Sequence, residues 1–170
     1  MKIALAQMNS HLGAFEKNFQ STLDFVFKAH QRGCELVVFP EASMFGYHPV
    51  DLLERPGVVK EQLKFLKKLS SKIPNGVGVL VGAITESPLK SGKLYNNSAV
   101  FLQKSKKPKI FPKQLLPTYD VFDEGRHIEP GKIEKNVFKF KGRKILVTIC
   151  EDIWAWPNDH HGKRSPYVSN

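Results

Sequence analysis

The chain has 170 residues, 41% hydrophobic and 25% charged, and its 26 basic against 16 acidic side chains give a formal net charge of +10. That length suits one domain with a sizeable core, and no apolar run approaches the roughly 20 residues that a helical membrane span needs. Two cysteines build no disulfide framework, and the opening "MKIALAQMNS" lacks the apolar length and cleavage site of a signal peptide, so the expected compartment is a reducing cytoplasm.

"KIALAQM" reads as a first strand. Over residues 14–33, Phe15, Phe19, Leu23 and Val26 recur at helical spacing, and Gly33 stops the helix. "CELVVFP" is a continuous apolar run closed by proline. It predicts a buried strand, parallel to the first across the helix, with Cys34 as inert packing. Val59, Leu63, Leu66 and Ile73 mark a second helix that ends near Pro74-Asn75-Gly76. "VGVLVGAIT" and "NNSAVFLQ" follow as strands joined by the polar turn "ESPLKSGKLY". Residues 112–134 read as a long irregular stretch, succeeded by a strand pair, "VFKF" and "KILVTIC", and a polar tail. Strand, helix, strand, helix and then several strands form an α/β pattern with antiparallel pairs.

The basic residues fall into two dispersed groups, Lys104, Lys106, Lys107 and Lys109, then Lys132, Lys135, Lys139, Lys141, Arg143 and Lys144. In "VFKFKGRK" they alternate with apolar residues, as on the wet face of an edge hairpin. No nucleic-acid partner and no membrane partner are expected.

Loops after strand C-termini are where α/β proteins place their sites, and a long irregular stretch inside a compact domain is usually functional. Glu41 follows the second strand, Lys113 follows a short extended run, and Cys150 closes the last strand. Brought together, they form a coherent set. The thiolate is the nucleophile, and a nearby cation lowers a thiol's pKa. The carboxylate moves the proton, and the ammonium steadies an oxyanion. Taken singly, Glu41 also reads as a cap, Lys113 as a surface lysine and Cys150 as a small core hydrophobe.

The stretches "FPEASMFGYHPVDLL", "PKQLLPTYDVFDEGRHIEPG" and "ICEDIW" resemble the nitrilase superfamily, the carbon–nitrogen hydrolases. More narrowly, they are similar to the glutaminase domains of glutamine-dependent NAD synthetases. The resemblance implies an α/β fold, the nitrilase-like α/β/β/α sandwich, truncated here. It implies Glu41 as general base, Lys113 as oxyanion stabiliser and Cys150 as nucleophile. Tyr119 would help hold the glutamine, Glu124 would support the lysine or the substrate, and the Glu151 backbone N–H would join the oxyanion hole. Asp152 is expected at a helix start, complementing the dipole.

The implied reaction releases ammonia from glutamine through a cysteine thioester, for amidation of nicotinate adenine dinucleotide. The alternatives are a stand-alone amidase acting on another small amide, and an inactive fragment. The glutaminase step needs no cofactor; ATP and Mg2+ belong to the family's synthetase domain, the implied partner. Six histidines, His160 and His161 among them, show no ligand spacing, so no metal is expected. Residues 1–170 read as the N-terminal part of the hydrolase domain, with its remainder and the synthetase domain absent. "RSPYVSN" follows Cys150 too closely to be the family's Ser-Pro segment. An open sheet of this kind is expected to make a homo-oligomer.

Overall fold

The computed structural model describes residues 1–154. His160, His161 and the "RSPYVSN" segment lie outside the described residues. The elements in chain order are β1 (Ile3–Leu5), α1 (Phe15–Gln31), β2 (Leu36–Val38), α2 (Val58–Lys72), β3 (Gly78–Glu86), β4 (Tyr95–Leu102), β5 (Lys109–Pro112), β6 (Val137–Phe140) and β7 (Arg143–Leu146).

The first five strands form one sheet in the order β1-β2-β3-β4-β5, and β6 and β7 form a separate hairpin. β1, β2 and β3 run parallel, because α1 and α2 serve as crossovers. β4 and β5 return antiparallel.

Side-chain alternation divides the core between the two faces of this sheet. Val79, Val81 and Ala83 of β3 face the helices and pack with Phe19, Leu23, Val26, Leu66 and Leu69. Leu80, one step out of phase, faces the hairpin and joins Phe101, Phe111, Phe138 and Phe140. The ring of Phe138 lies 4.5 Å from Phe101 and 5.1 Å from Phe111. Burying each such side chain contributes about 1.5–3 kcal/mol, and offset rings add a little more. Helices, sheet and hairpin thus make three layers of the expected α/β/β/α sandwich; a second outer helical layer is not among the described residues. No helix among the described residues is long and apolar enough to cross a membrane.

The predicted "KILVTIC" strand ends at Leu146 rather than at Cys150. The Asp152 carboxylate captures the Ile149 N–H at 3.0 Å, and the Asp152 N–H returns to the Ile149 carbonyl at 3.0 Å, which turns the chain out of the sheet. Cys150 therefore opens a short 3-10 turn, Cys150–Trp154, instead of closing a strand.

Residues 112–134 are irregular, as expected, but they are tied down by backbone bonds. Lys113 N donates to Asn97 O at 2.8 Å, Glu129 N to Tyr95 O at 2.7 Å and Gly131 N to Lys113 O at 2.7 Å.

Candidate active site

Glu41 is set by a loop pressed against β3. After β2 the chain crosses the sheet end, and Gly82 lies directly beneath it. A Cβ on Gly82 would stand 2.3 Å from Ala42 N and 2.4 Å from Pro40 O, so only glycine admits the loop at this depth. Met44 N donates to Gly82 O at 2.8 Å, and Gly82 N donates to the Ser43 hydroxyl at 3.2 Å. Ala42 takes a left-handed conformation, φ +50°, to make the turn. Cys150 does the same on the facing segment, φ +48°. Non-glycine residues in this region are strained and persist only where the surroundings enforce them.

Lys113 is fully buried, and its ammonium donates to Glu41 Oε1 at 2.8 Å and to Glu124 Oε2 at 2.7 Å. Asn97, on β4, completes the ring by donating from Nδ2 to Glu41 Oε1 at 2.7 Å and to Glu124 Oε1 at 2.9 Å. Cys150 is exposed, and it borders the same cavity as Glu41. Cys34 is buried in the helical core.

The electrostatics follow from one ammonium shared by two carboxylates. Burial by itself lowers the Lys113 pKa, but the charges of Glu41 and Glu124 outweigh it and push the amine up to about 12. Burial raises Glu124 against the opposing pull of Lys113. The Cys150 thiol is pushed up by burial and by the Glu41 charge, which together exceed the lowering effect of Lys113. This reverses the sequence expectation of a cation-lowered thiol. The lysine is already paired with two carboxylates, which weakens its pull on the thiol.

Tyr119 donates its hydroxyl hydrogen to Glu151 Oε1. Glu151 is buried, and its Oε2 has no hydrogen-bond partner among the described residues. Asp152 lies in the first turn of the Cys150–Trp154 3-10 helix, as expected of a helix-start residue, and does more there: its carboxylate accepts from the backbone N–H groups of Gln114 and Leu115, each at 2.9 Å, as well as from Ile149. It clamps the Cys150 turn to the segment that follows Lys113.

An aromatic rim surrounds these groups. The Phe122 ring lies 5.8 Å from Tyr119, 6.4 Å from Tyr47 and 6.0 Å from His48. Burial, with Glu41 and Glu124 nearby, pushes the Tyr47 phenol up to about 12. A cavity of about 130 Å3 between the sheet and the segment that follows β7 is bordered by Glu41, Gly82, Ser98, Ile149 and Cys150. A larger groove of about 590 Å3 opens between α2 and β5, past Leu66, Val100 and Ile110, and neither carboxylate nor thiol lines it.

Asp51, Glu54 and His127 place ligand atoms within 4.8 Å of one another. Arg126 already binds Asp51 Oδ1 and Glu54 Oε1, each at 3.1 Å, so this group is an ion-pair clasp between two loops. Sequence reasoning missed Asn97, Tyr47 and Phe122. The last two lie inside quoted motifs but carry no chemistry that spacing alone reveals.

A thiol, a carboxylate and a buried ammonium on one rim of this layered fold define a class of amide-cleaving proteins. Residues 2–158 match the carbon-nitrogen hydrolase family, and the chain belongs to it, with the nitrilase-like fold its motifs implied. More particularly, the chain is 39% identical over 155 residues to the glutamine-dependent NAD(+) synthetase of Synechocystis sp., covering 89% of this chain and 28% of that protein. The solved glutamine-dependent NAD+ synthetase of Acinetobacter baumannii superposes with a TM-score of 0.79 at 33% identity, over 90% of this chain and 28% of that one. An amidase from Nesterenkonia sp. shares the fold, with a TM-score of 0.73 at 20% identity over 92% of this chain and 57% of its own. The chain thus spans just over a quarter of the length of the synthetases it matches.

Proposed function

We propose that this chain carries a glutamine amidohydrolase site, the ammonia-producing part of a glutamine-dependent NAD synthetase. Cys150 Sγ attacks the side-chain carboxamide carbon while Glu41 takes the thiol proton. The oxyanion that forms is steadied by Lys113 and by the Glu151 backbone N–H. Glu41 then gives its proton to the departing nitrogen, ammonia leaves, and a glutamyl thioester remains on Cys150. A water, deprotonated by Glu41, cleaves the thioester; glutamate leaves, and the proton returns to sulfur. In the complete assembly the ammonia amidates nicotinate adenine dinucleotide on a partner domain that uses ATP and Mg2+.

One observation carries this reading. Lys113 and Glu41, 72 positions apart, meet at 2.8 Å, and Glu41 shares a cavity with Cys150. The Glu151–Tyr119 pair supports the choice of glutamine. A buried carboxylate oxygen with no partner among the described residues suits a substrate's α-ammonium group. The similarity to glutamine-dependent NAD synthetases points the same way.

The test is ammonia and glutamate release from glutamine by the purified chain, beside Cys150→Ala and a panel of small aliphatic amides. Glutamine turnover lost in Cys150→Ala supports the reading. Equal or faster turnover of the other amides would sink the choice of glutamine. A Cys150→Ala chain as active as the parent would sink the mechanism.

A further inference from the structure

Asn97 is buried in the middle of β4, where a strand facing a core has no ordinary need of an amide. Its backbone carbonyl receives the Lys113 N–H at 2.8 Å, which sets where the lysine leaves β5. Its side chain spends both amide hydrogens on carboxylates, Glu41 Oε1 at 2.7 Å and Glu124 Oε1 at 2.9 Å. The cost is visible, because Asn97 Oδ1 is buried with no hydrogen-bond partner among the described residues. Turning the amide over would face that oxygen toward two carboxylate oxygens and lose both bonds. The amide is therefore held in one orientation by the two carboxyl groups that share the ammonium. Glu41 Oε1 accepts from both Lys113 and Asn97, so neither of these bonds occupies its other oxygen, and Glu41 borders the cavity that Cys150 also lines.

We propose that Asn97 is a positioning residue for the proton transfer between Cys150 and Glu41, holding Glu41 fixed through one oxygen so that the other receives the thiol proton. The inference rests on Glu41 being the base of the proposed reaction. In the step concerned, the S–H bond breaks, an O–H bond forms on the free Glu41 oxygen, and the sulfur electron pair goes to the attacked carbon. Without the Asn97 donors, the negative cluster is less compensated, and the thiol beside it holds its proton more tightly. The carboxylate is also free to turn about its own axis.

The experiment alkylates Cys150 with iodoacetamide from pH 6 to pH 10 in the parent, Asn97→Ser and Asn97→Asp, with Cys34 as internal reference by peptide mass spectrometry. The pH midpoint of Cys150 alkylation should rise in Asn97→Ser. It should rise further in Asn97→Asp, by about one unit, because that variant keeps the shape and replaces a donor by a charge. A role confined to packing lowers stability but leaves the midpoint of the folded chain where it was. Folded variants with midpoints within about 0.2 units of the parent overturn the proposal. If Asn97→Asp does not fold, the Asn97→Ser midpoint decides alone. Glutamine kinetics form the second arm: kcat should fall about tenfold or more, with KM changing less than about threefold. No substrate enters the alkylation arm. Shifted midpoints in chains that never hydrolyse glutamine would therefore keep the role of Asn97 and refute the substrate.

Discussion

Lys113 is the side chain on which the site's pH behaviour turns. Its folded pKa, about 12, lies above the ordinary 10.5, so the stability it contributes is fully present below pH 10.5 and is lost as pH rises through about 12. Tyr47 acts in the same sense: its phenol ionises near 10 when unfolded and near 12 when folded, so folding is penalised progressively between those values. Urea midpoints measured from pH 9 to pH 12 should therefore fall steeply, and Tyr47→Phe should flatten part of the fall. Superimposable parent and Tyr47→Phe curves would show that the phenol is not held in this way. Replacing Lys113 by methionine should cost about 3–5 kcal/mol, because two carboxylates lose their shared cation in a buried place. At this scale Glu41, Lys113, Cys150 and Glu124 were legible in the sequence, since each sits in a stretch with a recognisable pattern. Asn97 was not. An amide within a strand announces nothing until its partners, 56 and 27 positions away, are known.

The 3-10 turn of Cys150–Trp154 depends on one carboxylate from within itself. Asp152 receives three backbone N–H groups, two from the segment after β5 and one from Ile149. Asp152→Ala strands all three, and each buried donor left unpaired costs on the order of 1–3 kcal/mol. The expected outcome is a strongly destabilised chain whose Cys150 alkylates as readily as a free thiol. Asp152→Asn keeps one acceptor oxygen and should retain more of the parent's stability. Equal stability in all three chains, by thermal melts, would remove the clamp. This element explains where pattern reading falls short. Hydrophobic periodicity placed α1, α2, β3 and β4 within a few residues, because each buries a continuous face. It overran β7, since "VTI" looks like strand whether or not a carboxylate downstream pulls the chain aside.

Over the whole molecule, the hairpin covers the inner face of β2 to β5 but not that of β1. Ala4 and Ala6 turn toward α1, leaving Ile3 49% and Leu5 70% exposed on the other face, and Leu146 of β7 is 59% exposed. Among the described residues, no strand lies beyond β1. An open edge beside apolar side chains is a template for pairing, and a net charge of +10 opposes association only weakly once salt screens it. Sedimentation at rising concentration in 0.15 M salt should show dimers, reduced in Leu5→Glu. A parent that stays monomeric throughout would refute this. The ring of Lys113, Glu41, Glu124 and Asn97 has a consequence in time as well as in space. Its bonds join residues 72, 56, 27 and 11 positions apart, and the longer of these loops close only after the sheet that carries them exists. While the chain is collapsing, Cys150 has no base facing it and is chemically the equal of Cys34. Its distinct reactivity arrives with the final long-range closures, so a refolding experiment that follows thiol labelling would date the birth of the site against the growth of secondary structure.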